Sequence, residues 1–349
     1  MSNWPEPPAA ADGPPDAASA QGAAGRPSSS RLTAPGAAPS PVPGAVRGLR
    51  RFPVPPEYRA AAQLWLDPEQ HVAPVTPQDA ACTVLIRDSP RGVETYLTAH
   101  EHRSPFGPVS FPGGRVIAAD DEPIPWSGLS SQEWAGVLRD DVGSARRTVV
   151  AAARTLFATT GVLLAGRRRD TTIATTGGHD WMSVREDVAA GEQSLSEVLA
   201  DRRLLLRTEL LRPMARWITA EFMHRRCDIR YFLVILPERQ EPGPLGSRGR
   251  PGGWVSPAEV LRGRPGESPG EQGSAPPRVR SDRSLERQDL RPLLTPATVL
   301  ILEDLARAPS AIAVAAHRPH LEPRMARLER AADGSLGLAV DRAVAARRR

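Results

Sequence analysis

Between about residues 60 and 310 the chain alternates short β-rich runs with stretches of helical periodicity. Ala81-Cys82-Thr83-Val84-Leu85-Ile86-Arg87 reads as a strand and Asp88-Ser89-Pro90-Arg91-Gly92 as a turn. Val93-Glu94-Thr95-Tyr96-Leu97-Thr98 reads as a second strand, so the segment predicts a hairpin. Phe111-Pro112-Gly113-Gly114-Arg115-Val116 is a strand broken by a glycine-rich bend. Residues 130–141 predict a helix with Trp134, Val137 and Leu138 on one face. A longer helix is expected over about 144–160, where Val149, Ala152 and Leu156, with Val150 and Phe157, recur at helical spacing. Ser144 is its expected N-cap and Gly161 its expected terminator. Val162-Leu163-Leu164 predicts a strand leaving that helix. Residues 183–202 predict another helix, with Leu195, Val198 and Leu199 inward. Further strands are expected at 214–219, 229–236 and 253–255, and a short helix at 257–262. A last helix spans 295–306, with Thr295 as cap and Pro296 at its first position. The order describes an α+β fold with a mixed sheet between helical layers.

Composition sets the limits of that folded body. The chain has 349 residues with 37 prolines and 29 glycines, and residues 1–58 alone hold 13 of the prolines. A second Pro/Gly cluster runs over 242–283. Such segments cannot bury enough apolar surface to offset the entropy of ordering. The expected organisation is a disordered tail at 1–58 and a folded domain at 59–310. That domain carries a disordered insertion at about 263–283, and an Arg-rich C-terminal extension follows at 311–349. The tail is open to a second reading, as a tether or partner-binding segment.

Charge and cysteine content exclude several classes. All 45 basic residues are Arg; with 40 acidic residues the net charge is +5, too small over this length for a nucleic-acid footprint. No stretch approaches 18 consecutive apolar residues, so no membrane span is expected. Arg50-Arg51 resembles a twin-arginine signal, but Phe52-Pro53-Val54-Pro55-Pro56 cannot supply the apolar region such a signal needs. Cys82 and Cys227 stand far apart in apolar surroundings and read as buried thiols of a reducing cytosol. His224 and Cys227 make half a metal site with no second half. The expectation is a cytoplasmic protein from a GC-rich bacterium, and nothing marks an oligomeric interface.

The candidate chemistry lies between Phe111 and Val162. Gly114 is followed six residues on by Asp120, and much later by Arg154-Thr155-Leu156-Phe157-Ala158-Thr159-Thr160-Gly161-Val162. This arrangement resembles the Nudix hydrolase box, which reads Gly, five residues, Glu, seven residues, then Arg-Glu-x-x-Glu-Glu-x-Gly and an apolar residue. The resemblance implies an α/β/α sandwich and assigns Gly114, Asp120, Arg154 and Gly161 to box positions. The arginine expected at 128 stands at 154, an insertion of about 26 residues within the loop-helix motif. The branch that includes coenzyme A diphosphatases tolerates such an insertion. Its downstream pattern is also similar to Trp217-Ile218-Thr219, Arg225-Arg226, Asp228-x-Arg230-Tyr231-Phe232, Trp254-Val255-x-Pro257-x-Glu259 and Leu293-Leu294-Thr295-Pro296.

The resemblance also exposes a loss. The three helix glutamates of the box are here Thr155, Ala158 and Thr159, at i, i+3 and i+4 on one helical face. In an active member that face holds Mg²⁺ or Mn²⁺, which neutralises a substrate diphosphate and activates water. Two hydroxyls and a methyl do not replace three carboxylates, so hydrolysis is expected to be impaired. Asp120 is the one candidate metal ligand that the motif itself supplies, and Arg154 the candidate brace of the helix. The implied ligand is a nucleotide or coenzyme A-like small molecule. A non-catalytic nucleotide-binding or regulatory module is the other function these residues allow.

On the substrate side, Arg103, Gly107 and Phe111-Pro112-Gly113-Gly114 match the second half of a coenzyme A-associated pattern, while Thr98 stands where its first Arg would be. Arg103 with Gly113 and Gly114 are the candidate substrate-binding residues. Arg103 reads equally as an exposed loop residue. His100-Glu101-His102 reads as strand-edge polar residues or as two ligands lacking a third. Arg225, Arg226, Asp228 and Arg230 read as a salt-bridge group or a phosphate cluster. Trp217, Tyr231, Phe232 and Trp254 read as core or as a stacking platform for a base. No Gly-x-Ser-x-Gly, P-loop or dinucleotide fingerprint occurs.

Overall fold

The computed structural model describes residues 48–70, 72–100, 104–243, 245, 251–263, 285–317 and 321–342. It opens with strand β1 (Gly48–Pro53) and helix α1 (Arg59–Trp65). The expected hairpin follows as β2 (Gln78–Ser89) and β3 (Gly92–Ala99), and the turn places Gly92 at φ 99°, a region that favours glycine. Two short strands come next, β4 (Val109–Ser110) and β5 (Gly113–Arg115). They lead to β6 (Trp126–Ser127), α2 (Ser131–Leu138), α3 (Val142–Thr160) and β7 (Ala165–Gly166). Helices α4 (His179–Ala190) and α5 (Leu195–Asp201) precede strands β8 (Leu205–Arg207), β9 (Arg212–Ile218), β10 (Cys227–Ile235) and β11 (Gly252–Val255). The remaining elements are α6 (Pro257–Arg262), α7 (Pro296–Ala306), α8 (Ala311–Ala316), β12 (Arg324–Met325), β13 (Arg327–Arg330) and β14 (Leu336–Arg342).

An eight-stranded mixed sheet runs in the order β11-β3-β2-β10-β9-β12, with β4 against β3 and β5 against β2. Its centre is the parallel pair β2 and β10, in register from Gln78 opposite Cys227 to Ile86 opposite Ile235. Side chains along a strand alternate between the faces of the sheet. Ala81, Leu85, Phe232 and Val234 share one core with α3, while Ala80, Cys82, Val84, Ile86 and Leu233 share the other with α7. Burial on both faces explains why these strands read as continuous apolar runs. Two three-stranded sheets flank the main one, β6-β8-β7 and β1-β14-β13.

Helix α3 is seated by its apolar face: Val149, Val150, Leu156 and Phe157 are all buried. Full burial of each such side chain contributes about 1.5–3 kcal/mol, so apolar packing alone can hold the helix. It ends where expected, at Gly161 with φ 80°. It starts two residues earlier than expected, and its cap is Asp141 rather than Ser144. The Asp141 carboxylate accepts the Ser144 N–H at 2.9 Å, and an acid there suits the positive end of the helix. In α2 the Ser130/Glu133 capping box closes the first turn. Trp134 and Leu138 face inward, but Val137 is 36% exposed.

The remaining differences have long-range causes. Residues 48–58, placed in the tail by their prolines, form β1 and a short helical turn at Pro56–Tyr58. Strand β1 pairs antiparallel with β14, so its partner lies at the far end of the chain. Within the expected C-terminal extension, α8 and strands β12, β13 and β14 are folded structure. Residues 1–47 of the expected tail and 264–283 of the expected insertion lie outside the described residues. The single helix expected at 183–202 is two helices, parted at Gly191 with φ 78° and restarted by the Ser194/Glu197 capping box. Val162-Leu163-Leu164 is buried but is not a strand. The Gln240 side chain takes the place of a neighbouring strand: its oxygen accepts the Leu163 N–H at 2.9 Å, and its amide donates to Leu163 O at 2.9 Å and Ile173 O at 3.1 Å.

Gln240→Leu would keep most of the side-chain volume and strand these buried backbone groups. Each unsatisfied group costs about 1–3 kcal/mol, so urea denaturation should reveal a loss of about 3 kcal/mol. A change below about 1 kcal/mol would show that this amide does not anchor the segment.

Candidate functional site

The glycine-rich bend brings three layers of backbone into contact. A Cβ at Gly113 would lie 2.4 Å from Cys82 Sγ and 2.6 Å from Ala81 O, so no side chain fits. A Cβ at Gly114 would lie 3.0 Å from Thr155 Cγ2. Strand β5 is thereby wedged between β2 and α3, and both candidate glycines pack against protein.

Beyond the bend a short helical turn, Ala118–Asp121, presents Asp120 to α3. Asp120 is fully buried. Its Oδ1 accepts Arg154 Nε–H at 2.6 Å. Its Oδ2 accepts Arg154 Nη2–H at 2.9 Å and the Ile117 N–H at 2.8 Å. Arg154 Nη2 also donates to Arg115 O at 2.9 Å. The acid and the arginine of the motif thus form a bidentate clasp that ties the loop to the helix. A divalent cation at Asp120 would have to sit beside that guanidinium and compete with it.

The glutamate positions offer no replacement. Thr155 is 5% exposed, and its hydroxyl donates to Ala151 O at 2.7 Å, one turn back in its own helix. Ala158 and Thr159 are half-buried. Among the described residues no group of three or more His, Cys, Asp or Glu side chains is arranged to hold a metal. Mg²⁺ and Mn²⁺ are hard cations that require anionic oxygen ligands. The donor set therefore does not fit them.

At the C-terminal turn of α3 stands a cation that no sequence pattern announced. Arg185, from α4, is 3% exposed. Its Nε donates to Ala158 O at 3.1 Å, and its Nη2 to Thr159 O at 2.5 Å and Gly243 O at 2.8 Å. Burial lowers its pKa to about 10, which leaves it cationic at neutral pH. Positive charge at the negative end of a helix is favourable. Edge-on packing of Trp181 against Phe157, at 6.1 Å, holds α4 there. A lone Arg whose partners lie on α3 and at Gly243 carries no local signature.

Strand β3 pairs antiparallel with β11, Tyr96 opposite Trp254. Tyr96 is 3% exposed and meets the half-buried Trp254 ring edge-on at 5.6 Å. The Arg87 guanidinium lies over Trp254 at 4.1 Å. Arg87 also pairs with the buried Glu94 at 2.9 Å, and Arg91 joins at 2.7 Å. Burial pushes the Glu94 carboxyl up, but hydrogen bonds from both arginines outweigh it and hold the group below its ordinary range.

Other candidates resolve as structure. Arg230 pairs with Asp79 at 2.9 Å, Asp228 at 3.2 Å and Asp140, while Arg216 pairs with Asp228 at 2.6 Å. Arg226 donates to Thr219 O and Val75 O. These side chains stitch β2, β9, β10 and the α2–α3 junction together. Trp217, Tyr231 and Phe232 are core residues, and both cysteines are buried. His100 Nε2 lies 3.3 Å from Phe111 O. Glu101, His102 and Arg103 lie outside the described residues. A cavity of about 570 Å³ between β1, α1 and the β13–β14 turn, and one of about 270 Å³ beside β11 and α6, contain none of the box positions.

No protein-family profile and no curated protein matches the chain. The crystal structure of a Nudix hydrolase from Alicyclobacillus acidocaldarius is similar to it in fold. That likeness has a TM-score of 0.50 at 23% identity and covers 71% of this chain and 99% of that one. The chain has the Nudix fold.

Arg154→Met would leave the Asp120 charge buried without its partner. Breaking a buried pair costs about 3–5 kcal/mol, readable by urea denaturation. Replacing both members, Asp120→Leu with Arg154→Met, should recover most of that loss. An Arg154→Met protein within about 1 kcal/mol of the parent would mean that the clasp does not hold the loop.

Proposed function

We propose that this chain is a Nudix protein related to metal-dependent hydrolases of nucleoside diphosphate-linked compounds, and that it binds such a compound without efficient hydrolysis. The single observation behind this reading is the state of α3. The helix and its Asp120–Arg154 clasp are intact, yet positions 155, 158 and 159 carry no carboxylate and Thr155 has turned its hydroxyl into its own helix. Hydrolysis of a diphosphate in this fold needs a cation to neutralise the phosphates and to activate a water. With three neutral side chains on that face, neither requirement is met.

The ligand class rests on the resemblance of the box and of the segments downstream of it to the coenzyme A diphosphatase branch. Gly107 and Phe111-Pro112-Gly113-Gly114 support a coenzyme A-like molecule within that class. A residual metal-dependent hydrolysis through Asp120 is the competing reading. The double engagement of that carboxylate with Arg154 weighs against it.

The test is a turnover assay of the purified full chain with Mg²⁺ or Mn²⁺ against coenzyme A, ADP-ribose and dinucleoside polyphosphates. A Thr155→Glu/Ala158→Glu/Thr159→Glu variant is run beside it. Metal stabilisation of the transition state amounts to several kcal/mol, or about 100-fold or more in rate. The parent should fall short of the variant by at least that factor. Parent turnover equal to the variant's, and abolished by Asp120→Ala, would overturn the proposal.

A further inference from the structure

The cavity between β1, α1 and the β13–β14 turn joins an apolar wall to a cationic rim. Its volume is about 570 Å³, within the size range of small-molecule sites. Distant parts of the chain build it, because β1 pairs with β14 from Gly48 opposite Arg342 to Pro53 opposite Gly337. Phe52, Pro53, Val54 and Leu336 form the apolar wall. That wall is anchored: Val54 is 2% exposed and belongs to the core against which Phe52 and Leu336 pack.

The rim has positive charge to spare. Arg51, Arg59 and Arg330 line it beside a single carboxylate, Glu329, which leaves a net charge of +2. Glu329 lies 3.6 Å from Arg51, too far for a hydrogen bond. Arg59, Arg330 and the neighbouring Gln63 make no side-chain hydrogen bond or ion pair among the described residues. Asp333, in the β13–β14 turn, does not answer them: its carboxylate accepts the Ser335 N–H at 2.9 Å and O–H at 2.6 Å, and it is not part of the lining. Strand β1 is a sheet edge, but Pro53, Pro55 and Pro56 at and beyond its end offer no N–H donors to an added strand. The cavity therefore suits a compact anion better than an extended peptide.

We propose that this cavity binds a phosphomonoester carried on an aromatic or aliphatic group. Such an ester carries close to two negative charges at neutral pH, which the lining balances. Guanidinium forks bond phosphate oxygens in pairs, and Arg59 and Arg330 have their donors free to do so. The organic group lies along the wall of Phe52 and Leu336. The cavity contains none of the box positions, so this site is separate from the diphosphate-binding reading and stands or falls without it.

Calorimetry on the full chain in EDTA and at low ionic strength tests it with phenyl phosphate, inorganic phosphate and benzoate. Phenyl phosphate should bind most tightly, since phosphate lacks the ring and benzoate the second charge. Arg59→Gln and Arg330→Gln should each weaken its binding about 10-fold. Neither should change the ligand-free melting temperature, because neither side chain bonds to the protein. Arg327→Gln removes the same charge from β13 outside the lining, and should leave the affinity within about twofold. No binding of phenyl phosphate overturns the proposal, as does binding that Arg59→Gln and Arg330→Gln leave unchanged or that Arg327→Gln weakens equally. Benzoate or inorganic phosphate binding as tightly as phenyl phosphate overturns the ligand class.

Discussion

Everything else in the molecule depends on the seating of α3 against the parallel strands β2 and β10. Ala151, Ala152, Ala153, Leu156 and Phe157 are buried on that face, and Thr83 adds a hydrogen bond from β2 to Ala152 O at 3.3 Å. Thr155 is buried as well, against Gly114 of β5, whereas Ala158 and Thr159 are half-buried. The helix is therefore packed at 155 too, and least constrained at 158 and 159. Three carboxylates at i, i+3 and i+4 repel one another unless a cation lies between them. Two threonines and an alanine carry no such repulsion.

The two arginines that touch α3 act at different places. Arg154 reaches from the helix to Asp120 and fixes the loop that follows the glycine bend. Arg185 reaches to the helix from α4 and closes its C-terminal turn. The first is a buried pair, in which desolvation of both charges is offset by a bidentate geometry and by the Ile117 N–H. The second answers the partial negative charge of the helix end with a full positive one. Between them they tie the loop and α4 to the helix.

Much of this was legible in the sequence because it is local. The 3.6-residue periodicity of α3, its glycine stop and the hairpin of β2 and β3 all follow from neighbouring residues. The placing of 155, 158 and 159 on one helix is local in the same way. What could not be read depends on partners far along the chain. Strand β1 looked like a tail because Phe52-Pro53-Val54-Pro55-Pro56 is proline-rich, and only its pairing with Leu338 and Gly337 makes it a strand. Leu163 looked like a strand residue because it is apolar, and only Gln240, 77 positions away, satisfies its backbone. Ser144 lost the cap to Asp141 because both are good caps and the helix could begin at either. Arg185 was invisible for the same reason as Gln240: its neighbours come from other elements.

Composition returns here with a different meaning. Every basic residue of the chain is Arg. Burial disfavours the charged form of any cation, and a lysine buried to this degree can fall to a pKa of about 5–6 and lose its charge. An arginine begins so high that the same burial leaves Arg185 at about 10. Its planar fork also lets one side chain bind the carbonyls of 158, 159 and 243 at once, which an ammonium on a flexible stem would hold less firmly. A permanent charge fixed at the end of α3 thus needs the residue type that the chain uses throughout. The net charge of +5 says little about partners, whereas one arginine, removed from water and pinned to three carbonyls, places a fixed positive charge at the end of α3.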